Sequence, residues 1–120
     1  MPGEEDALRR LLDRALAQLD RGEPVPPPEL KVLTKSLARS FAAAHPGRSV
    51  ELRIPPYVAV QCVEGPRHTR GTPPNVVETD PLTWLLLCAG RLEWAQARGE
   101  GRLAASGARA DLSPLLPHPA

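Results

Sequence analysis

Three basic side chains stand close together in a proline-containing loop of the sequence. Arg67, His68 and Arg70 lie in the segment Glu64 to Pro81, EGPRHTRGTPPNVVETDP. Two guanidinium groups and one imidazole in so short a stretch can make charge-assisted contacts with a carboxylate or a phosphate. The arginines can instead pair with the acidic residues of the same segment and fix the loop against the domain. The segment therefore predicts either an anion-contacting rim or a structural ion-pair network.

Other catalytic chemistries lack their residue patterns. Ser106 is followed by a single glycine in a strand-to-turn context, without the flanking glycines of a hydrolase nucleophile elbow. The histidines, His45, His68 and His118, are scattered along the chain, whereas a zinc site needs three or four convergent ligands. The loop also has prolines where a phosphate-cradling loop needs backbone N–H donors. The sequence predicts no catalytic residue, no metal and no cofactor, hence a non-enzymatic protein.

Composition excludes two further classes of protein. The 120 residues carry a formal net charge of +1 and contain 3% aromatic residues, which argues against a grip on a phosphate backbone or stacking on bases. Cys62 and Cys88 follow neither a metal nor a redox spacing and are expected to be buried free thiols. Neither a signal peptide nor a run long enough for a membrane span is evident. A soluble, cytoplasmic, single-domain protein is expected.

The first half of the chain contains two helical patterns and then two strand patterns. Apolar residues recur at helical spacing from Glu4 to Asp20, and again from Leu30 to Ala44 after a proline-rich linker. Alternation in SVELRIP predicts a strand with one buried face, and YVAVQCV predicts a strand buried on both faces. Pro55 and Pro56 join them through either a wider turn or a kink.

The second half contains shorter elements with clear boundaries. NVVET predicts a third strand, and DPLTWLLLCAG predicts a buried or cavity-facing helix that Asp80 caps and Gly90 ends. RLEWAQARG predicts a helix closed by Gly99, GRLAASG a strand, and ADLSPLLP a last helix capped by Asp111; the tail PHPA is expected to fray. The predicted fold is α+β, with a small mixed or antiparallel sheet covered by helices on one side and an extra N-terminal helix.

Two tryptophans admit two interpretations. Trp84 and Trp94 lie ten residues apart on consecutive short helices. They are typical either of ordinary core residues or of the walls of an apolar cavity, since a small domain has few places in which to bury two indoles.

The C-terminal half resembles a known family. In NVVETDPLTWLLLCAGRLEWAQARGEGRLAASGARADLSPLL, an acidic cap precedes an apolar helix, a Gly-Arg-Leu step opens a shorter helix, and a GRL…SG strand precedes a terminal helix. This order resembles the sterol carrier protein (type two) domain, and with GRSVELRIPPYVAVQCVEGPRHTRGTPP ahead of it the chain resembles the bacterial orthologue branch. The resemblance covers Leu30 to Leu116.

The resemblance implies a sheet of about five strands and a tunnel between sheet and helices that holds lipids or other small apolar ligands. Carried over by position, the residues expected to line it are Val58, Val60, Trp84, Leu85, Cys88, Trp94 and Leu103. Arg67, His68 and Arg70 are then expected to meet a polar head group at the rim. The implied domains are an N-terminal helix and linker at 1–28, the sterol-carrier-like domain at 29–117 and a frayed tail at 118–120.

Two alternatives remain open. In one, the apolar helix from Leu82 to Ala89 packs against a partner protein or a second copy of the chain as a homodimer. In the other, the domain is an accessory to a thiol-dependent enzyme of the maleylpyruvate isomerase type. In such enzymes a helical bundle supplies metal-binding histidines, and the two N-terminal helices here contain no such set.

Overall fold

The computed structural model describes residues 3–65 and 75–118. Within these ranges the chain forms helices and strands in the following order: α1 (Glu4–Asp20), α2 (Pro27–Ala44), β1 (Val50–Ile54), β2 (Val58–Cys62), β3 (Val76–Thr79), α3 (Pro81–Ala89), α4 (Trp94–Gly99), β4 (Leu103–Ser106) and a 3₁₀ helix (Ser113–Leu115). The fold is mixed α+β, as predicted.

Helix α1 is the predicted amphipathic helix with the predicted bounds. Three acidic residues occupy its first turn, where they complement the positive end of the helix dipole. Leu12 and Ala15 are buried among the core residues, and the exposed pair Arg91 and Asp20 joins the end of α1 to the segment after α3 at 3.0 Å. Packing of the apolar face, more than this surface ion pair, holds α1 to the domain.

Helix α2 begins with two prolines. Pro27 and Pro28 occupy its first positions, where a missing N–H costs nothing. Its buried stripe faces the sheet and α3 and consists of Leu33, Thr34, Leu37, Ala38 and Phe41. The helix ends before His45 and Pro46, as the sequence predicts.

The described residues form a mixed sheet of four strands in the order β2-β1-β3-β4. Strand β1 pairs antiparallel with β2 and parallel with β3, and β3 pairs antiparallel with β4. The expected count of about five strands is therefore wrong for this part of the chain. That count came from the family resemblance, whereas the sequence pattern itself contains four strand segments.

One face of the sheet packs against the helices and the other is open. In β1, Val50, Leu52 and Ile54 are at most 1% exposed. Strand β2 was predicted to be buried on both faces, and this is wrong, because Ala59 and Gln61 are exposed. The reason is that β2 is an edge strand on a sheet whose outer face has no helical layer within the described residues. The apolar run in β2 is nearly continuous because it includes Ala59, and alanine has a small side chain that can be exposed at little cost.

The connection between β1 and β2 is a three-residue turn over residues 55–57, one residue wider than a two-residue hairpin loop. The Tyr57 N–H donates to the Ile54 carbonyl at 3.0 Å, and the Pro55–Pro56 peptide bond is cis. Of the two predicted alternatives at these prolines, the structure contains the turn.

Both ends of α3 carry the predicted caps. Asp80 Oδ1 accepts from the Thr83 N–H at 2.8 Å, and Oδ2 accepts from the Thr83 hydroxyl at 2.7 Å. Gly90 has φ of 74°, and the N–H of Arg91 donates to the Leu86 carbonyl at 2.9 Å. The left-handed residue lets the chain turn back under the helix.

The C-terminal segment differs from the prediction in two respects. The last predicted helix is a single 3₁₀ turn, because Pro114 and Pro117 leave little room for an α-helix. The sequence predicts that His118 belongs to a frayed tail, yet it is 7% exposed and packs against α2 and α3. Within the described ranges, no helix combines the length and the apolar character needed to cross a membrane.

Candidate functional site

The predicted pocket residues on α3 lie in the core. Trp84, Leu85 and Cys88 are at most 1% exposed. The Trp84 indole meets the Phe41 ring edge to face, with centroids 5.4 Å apart and an interplanar angle of 84°. Helix α3 packs these residues against α2 and the inner face of the sheet.

The predicted pocket residues on the strands lie at opposite edges of the sheet. Val58 and Val60 are half-buried on edge strand β2, whereas Leu103 is 5% exposed on edge strand β4. Three interstrand steps separate these edges, which is about 14 Å. The predicted lining set therefore spans the width of the inner face.

Two clefts flank the C-terminal end of α3. The first, here called the α1 cleft, has a volume of 310 Å³. It is lined by Arg9, Leu12, Asp13, Leu16, Cys88, Ala89 and Pro117. The second, the α4 cleft, has a volume of 440 Å³ and lies between α3, the start of α4 and the C-terminal segment. It is lined by Leu87, Gly90, Leu92, Glu93, Trp94, Ala95, Ser113, Leu116 and Pro117.

Pro117 borders both clefts and separates them. Of the residues predicted to line a pocket, Cys88 borders the α1 cleft and Trp94 borders the α4 cleft. Val58 and Leu103 border two other cavities, which have Pro55 and Glu78 in common in their linings. The structure thus brings two of the seven predicted residues to the pair of clefts around Pro117.

Four rings form a cluster behind these clefts. In this ring cluster, Phe41 contacts His45 at 4.8 Å, Trp84 at 5.4 Å and His118 at 5.5 Å between centroids, and the two imidazoles are 6.3 Å apart. The cluster joins α2, α3 and the C-terminal segment.

Residues 116–118, here called the terminal strap, are held by His118 at two points. Its backbone N–H donates to the Cys88 carbonyl at 3.0 Å, and its Nε2 lies 2.9 Å from the Ser40 hydroxyl. Burial, and to a lesser degree the nearby His45, lowers the pKa of the His118 imidazole. The imidazole is therefore neutral at pH 7, which suits a hydrogen bond inside a packed cluster.

The Trp84 indole Nε1 is buried and has no hydrogen-bond partner among residues 3–65 and 75–118. Buried N–H donors are nearly always paired, so an unpaired one calls for an explanation. No pattern in the sequence distinguishes this indole from a satisfied one.

The loop that carries Arg67, His68 and Arg70 lies outside the described residues, but its two ends are described. Asn75 anchors the return of the loop: its Nδ2 donates to the Ser49 carbonyl at 2.7 Å, and its Oδ1 accepts from the Arg109 N–H at 2.9 Å. Both carboxylate oxygens of Asp80 are engaged by Thr83 at the start of α3.

Both cysteines are free and buried, as predicted. Burial raises the pKa of Cys62 to about 11 and raises that of Cys88 further above its ordinary value. Neutral thiols in apolar surroundings are poor nucleophiles. Among the described residues, no three or more His, Cys, Asp or Glu side chains are grouped in a way that could hold a metal ion.

Sequence reasoning missed the convergence of Ser40, His45 and His118. Phe41 and His45 are four residues apart near the end of α2, a local spacing that could have indicated adjacent rings. His118 is 78 positions from Ser40, and no local pattern relates the two residues.

Comparison with known proteins locates this architecture in a family. No curated protein matches the chain significantly. A family model described as bacterial SCP ortholog matches residues 28–118, which include every described element except α1 and the first residue of α2. The match covers more than half of the chain, so the protein belongs to the bacterial SCP ortholog family and contains a sterol carrier protein-like domain.

Proposed function

We propose that this protein is a non-enzymatic carrier that binds a lipid or another small apolar molecule in the clefts on either side of Pro117. Membership in a sterol carrier protein-like family supports apolar-ligand binding in general. The two buried, neutral cysteines argue against thiol chemistry, which agrees with a binding role.

The observation that carries the proposal is the pair of clefts against the apolar end of α3. Their volumes, 310 and 440 Å³, fall within the range of about 300–1,000 Å³ that is typical of small-molecule pockets. Leu12, Leu16, Cys88 and Ala89 give the α1 cleft an apolar wall, while Arg9 and Asp13 add polar groups. Such a site suits an apolar body that carries one polar end.

Hydrophobic transfer supplies the binding free energy in this proposal. Each methylene removed from water contributes about 0.8 kcal/mol, so a ten-carbon chain contributes about 8 kcal/mol before association costs are subtracted. We therefore expect affinity to rise with chain length until the cleft is filled.

Native mass spectrometry of freshly purified protein, followed by lipid extraction, tests the proposal directly. A co-purified lipid on the monomer supports a carrier. A ligand-free protein that also fails to bind fluorescent acyl probes contradicts it.

Cleft-filling variants identify the site. Ala89→Trp fills the α1 cleft and Ala95→Trp fills the α4 cleft, because these residues line them. Ala17→Trp places the same indole on an exposed position of α1 and is the matched control. We expect at least one filling variant to lose acyl-probe binding while the control keeps it. Equal binding by all three variants would exclude both clefts.

The alternative of a protein-interaction module relied on an accessible α3. In the structure five of the nine α3 residues are buried within the domain, which leaves little of this helix for a partner. A homodimer through another surface would be visible in the same mass spectra as a doubled mass.

A further inference from the structure

Helix α1 forms one wall of the α1 cleft with an apolar inner column and a charged outer column. Leu12 and Leu16 lie four residues apart, as do Arg9 and Asp13, and all four border the cleft. Side chains three or four residues apart share a helix face, so the two columns run side by side. Leu12 is 6% exposed, whereas Arg9 and Asp13 are exposed. The apolar column is therefore the inner wall and the charged column is the rim.

The wall opposite α1 suits hydrocarbon. It consists of Cys88, Ala89 and Pro117. Cys88 is 1% exposed, and burial raises the pKa of its thiol, which is therefore neutral at pH 7. A polar head group placed against these side chains would lose its hydration and gain little in return. A ligand in this cleft thus buries its apolar body between Leu12 and Cys88 and keeps its head group at the rim.

The two charged residues of the rim make opposite demands on a head group. The Arg9 guanidinium only donates hydrogen bonds, and the Asp13 carboxylate only accepts them. Their Cβ atoms are separated by one helical turn, roughly 5–6 Å. A carboxylate head group is attracted by Arg9 and repelled by Asp13, and an ammonium head group experiences the reverse, so the two Coulomb contributions largely cancel. An uncharged head group with both an acceptor and a donor can bond to both residues without repulsion.

We propose that Arg9 and Asp13 select an apolar ligand with an uncharged head group that both accepts and donates hydrogen bonds, such as a fatty amide or a monoacylglycerol. The head group accepts from the Arg9 guanidinium and donates to the Asp13 carboxylate. This inference rests on the proposed function, since it requires the apolar body of a ligand in the α1 cleft. A fatty acid or an alkylamine of the same chain length then binds less well.

Three probes with the same eight-carbon chain test the inference. At pH 7 octanamide is neutral, octanoate is anionic and octylamine is cationic. NMR titration of the ¹⁵N-labelled full chain measures the Kd of each probe. Because Arg9 and Asp13 are exposed, we expect octanamide to bind only about two- to fivefold more tightly than either charged probe. Ala89→Trp fills the α1 cleft and should abolish the binding of all three probes.

Removing one rim charge at a time should shift the selectivity in opposite directions. We expect Asp13→Asn to raise the ratio of the octylamine Kd to the octanoate Kd about two- to fivefold, and Arg9→Gln to lower it by a similar factor. Asp6→Asn and Arg10→Gln remove exposed charges of the same helix that do not border the cleft, and they should change the ratio less. Both shifts should shrink in about 1 M salt, which screens exposed charges.

The outcomes separate this inference from the proposed function. If all three probes bind and neither rim variant changes the ratio more than its control does, the carrier function stands and the inference is wrong. The same conclusion follows if a charged probe binds the wild-type protein more tightly than octanamide, or if Ala89→Trp leaves binding intact. If none of the three probes binds, the inference is wrong, and if the fluorescent acyl probes also fail to bind, the proposed function is wrong as well.

Discussion

The Ser40 hydroxyl and the His118 Nε2 lie 2.9 Å apart and join α2 to the end of the described chain. The terminal strap that His118 anchors includes Pro117, which borders both clefts. The pairing therefore determines the shape of the candidate site, although neither residue lines the α1 cleft or the α4 cleft.

Removing the Ser40 hydroxyl should destabilise the fold moderately. We expect Ser40→Ala to lower the free energy of unfolding by about 1 kcal/mol, since the buried imidazole loses its side-chain partner. Ser36→Ala removes an equivalent half-buried hydroxyl from the same helix and is the control. Urea unfolding measures both variants. Equal stabilities would show that the Ser40 to His118 contact contributes little in solution.

Stability should fall as the pH is lowered below about 6.5. The folded-state pKa of His118 lies below its unfolded value, so the unfolded chain takes up a proton first. The stabilisation is complete above pH 6.5 and is lost as the pH falls to the lowered pKa. Urea unfolding between pH 7.5 and 5 measures the slope. We expect His118→Phe to reduce it, and an unchanged slope would show that His118 does not cause the effect.

The thiols should resist modification in the folded protein. At pH 8 a thiol with a pKa of about 11, as for Cys62, is ionised in about one molecule in a thousand, and Cys88 is ionised still less. We expect 5,5′-dithiobis(2-nitrobenzoate) to react at both cysteines only after denaturation. Rapid reaction of the folded protein at Cys88 would show that the α1 cleft opens to solvent.

The arginines of the loop allow a test of the proposed rim. If Arg70 meets a polar head group, Arg70→Ala should weaken binding of an anionic acyl ligand more than binding of a neutral one of equal length. Arg48→Ala removes an exposed arginine outside that loop and is the control. Titration with a fatty acid and its methyl ester measures the difference. Equal losses for both ligands would indicate a structural role for the loop.

Local signals in the sequence predict the elements of this fold well, and long-range contacts explain what they miss. The acidic first turn and apolar spacing of α1, and the Asp80 and Gly90 caps of α3, depend on neighbouring residues alone. The contact of Ser40 with His118 depends on how the terminal strap packs after folding, so the proline-rich composition of the tail wrongly predicts that His118 is frayed.

In the candidate site, too, local sequence signals predict some features and long-range packing determines the others. Period-two alternation indicates which face of a strand is buried, and Val58, Val60 and Leu103 do share the inner face. It does not indicate the order of strands, and the order β2-β1-β3-β4 puts these residues at opposite edges. Which of the seven predicted residues contact a ligand stays a prediction.

The Asp80 cap should stabilise the start of α3, the helix that carries Trp84 and Cys88. Asp80→Ala removes the acceptor for both the backbone N–H and the hydroxyl of Thr83, and we expect a loss of about 1–2 kcal/mol in the free energy of unfolding. Asp80→Asn keeps an oxygen acceptor and should recover most of it.

The control for this cap is Asp111→Ala. Its Oδ1 accepts from the Ser113 N–H at 2.9 Å, but the residue is exposed and the contact adjoins only a three-residue 3₁₀ helix, so a smaller loss is expected. Thermal unfolding compares the three variants. If Asp80→Ala were no less stable than Asp111→Ala, α3 would be held by its buried face alone, and the start of the helix would not help to position Trp84.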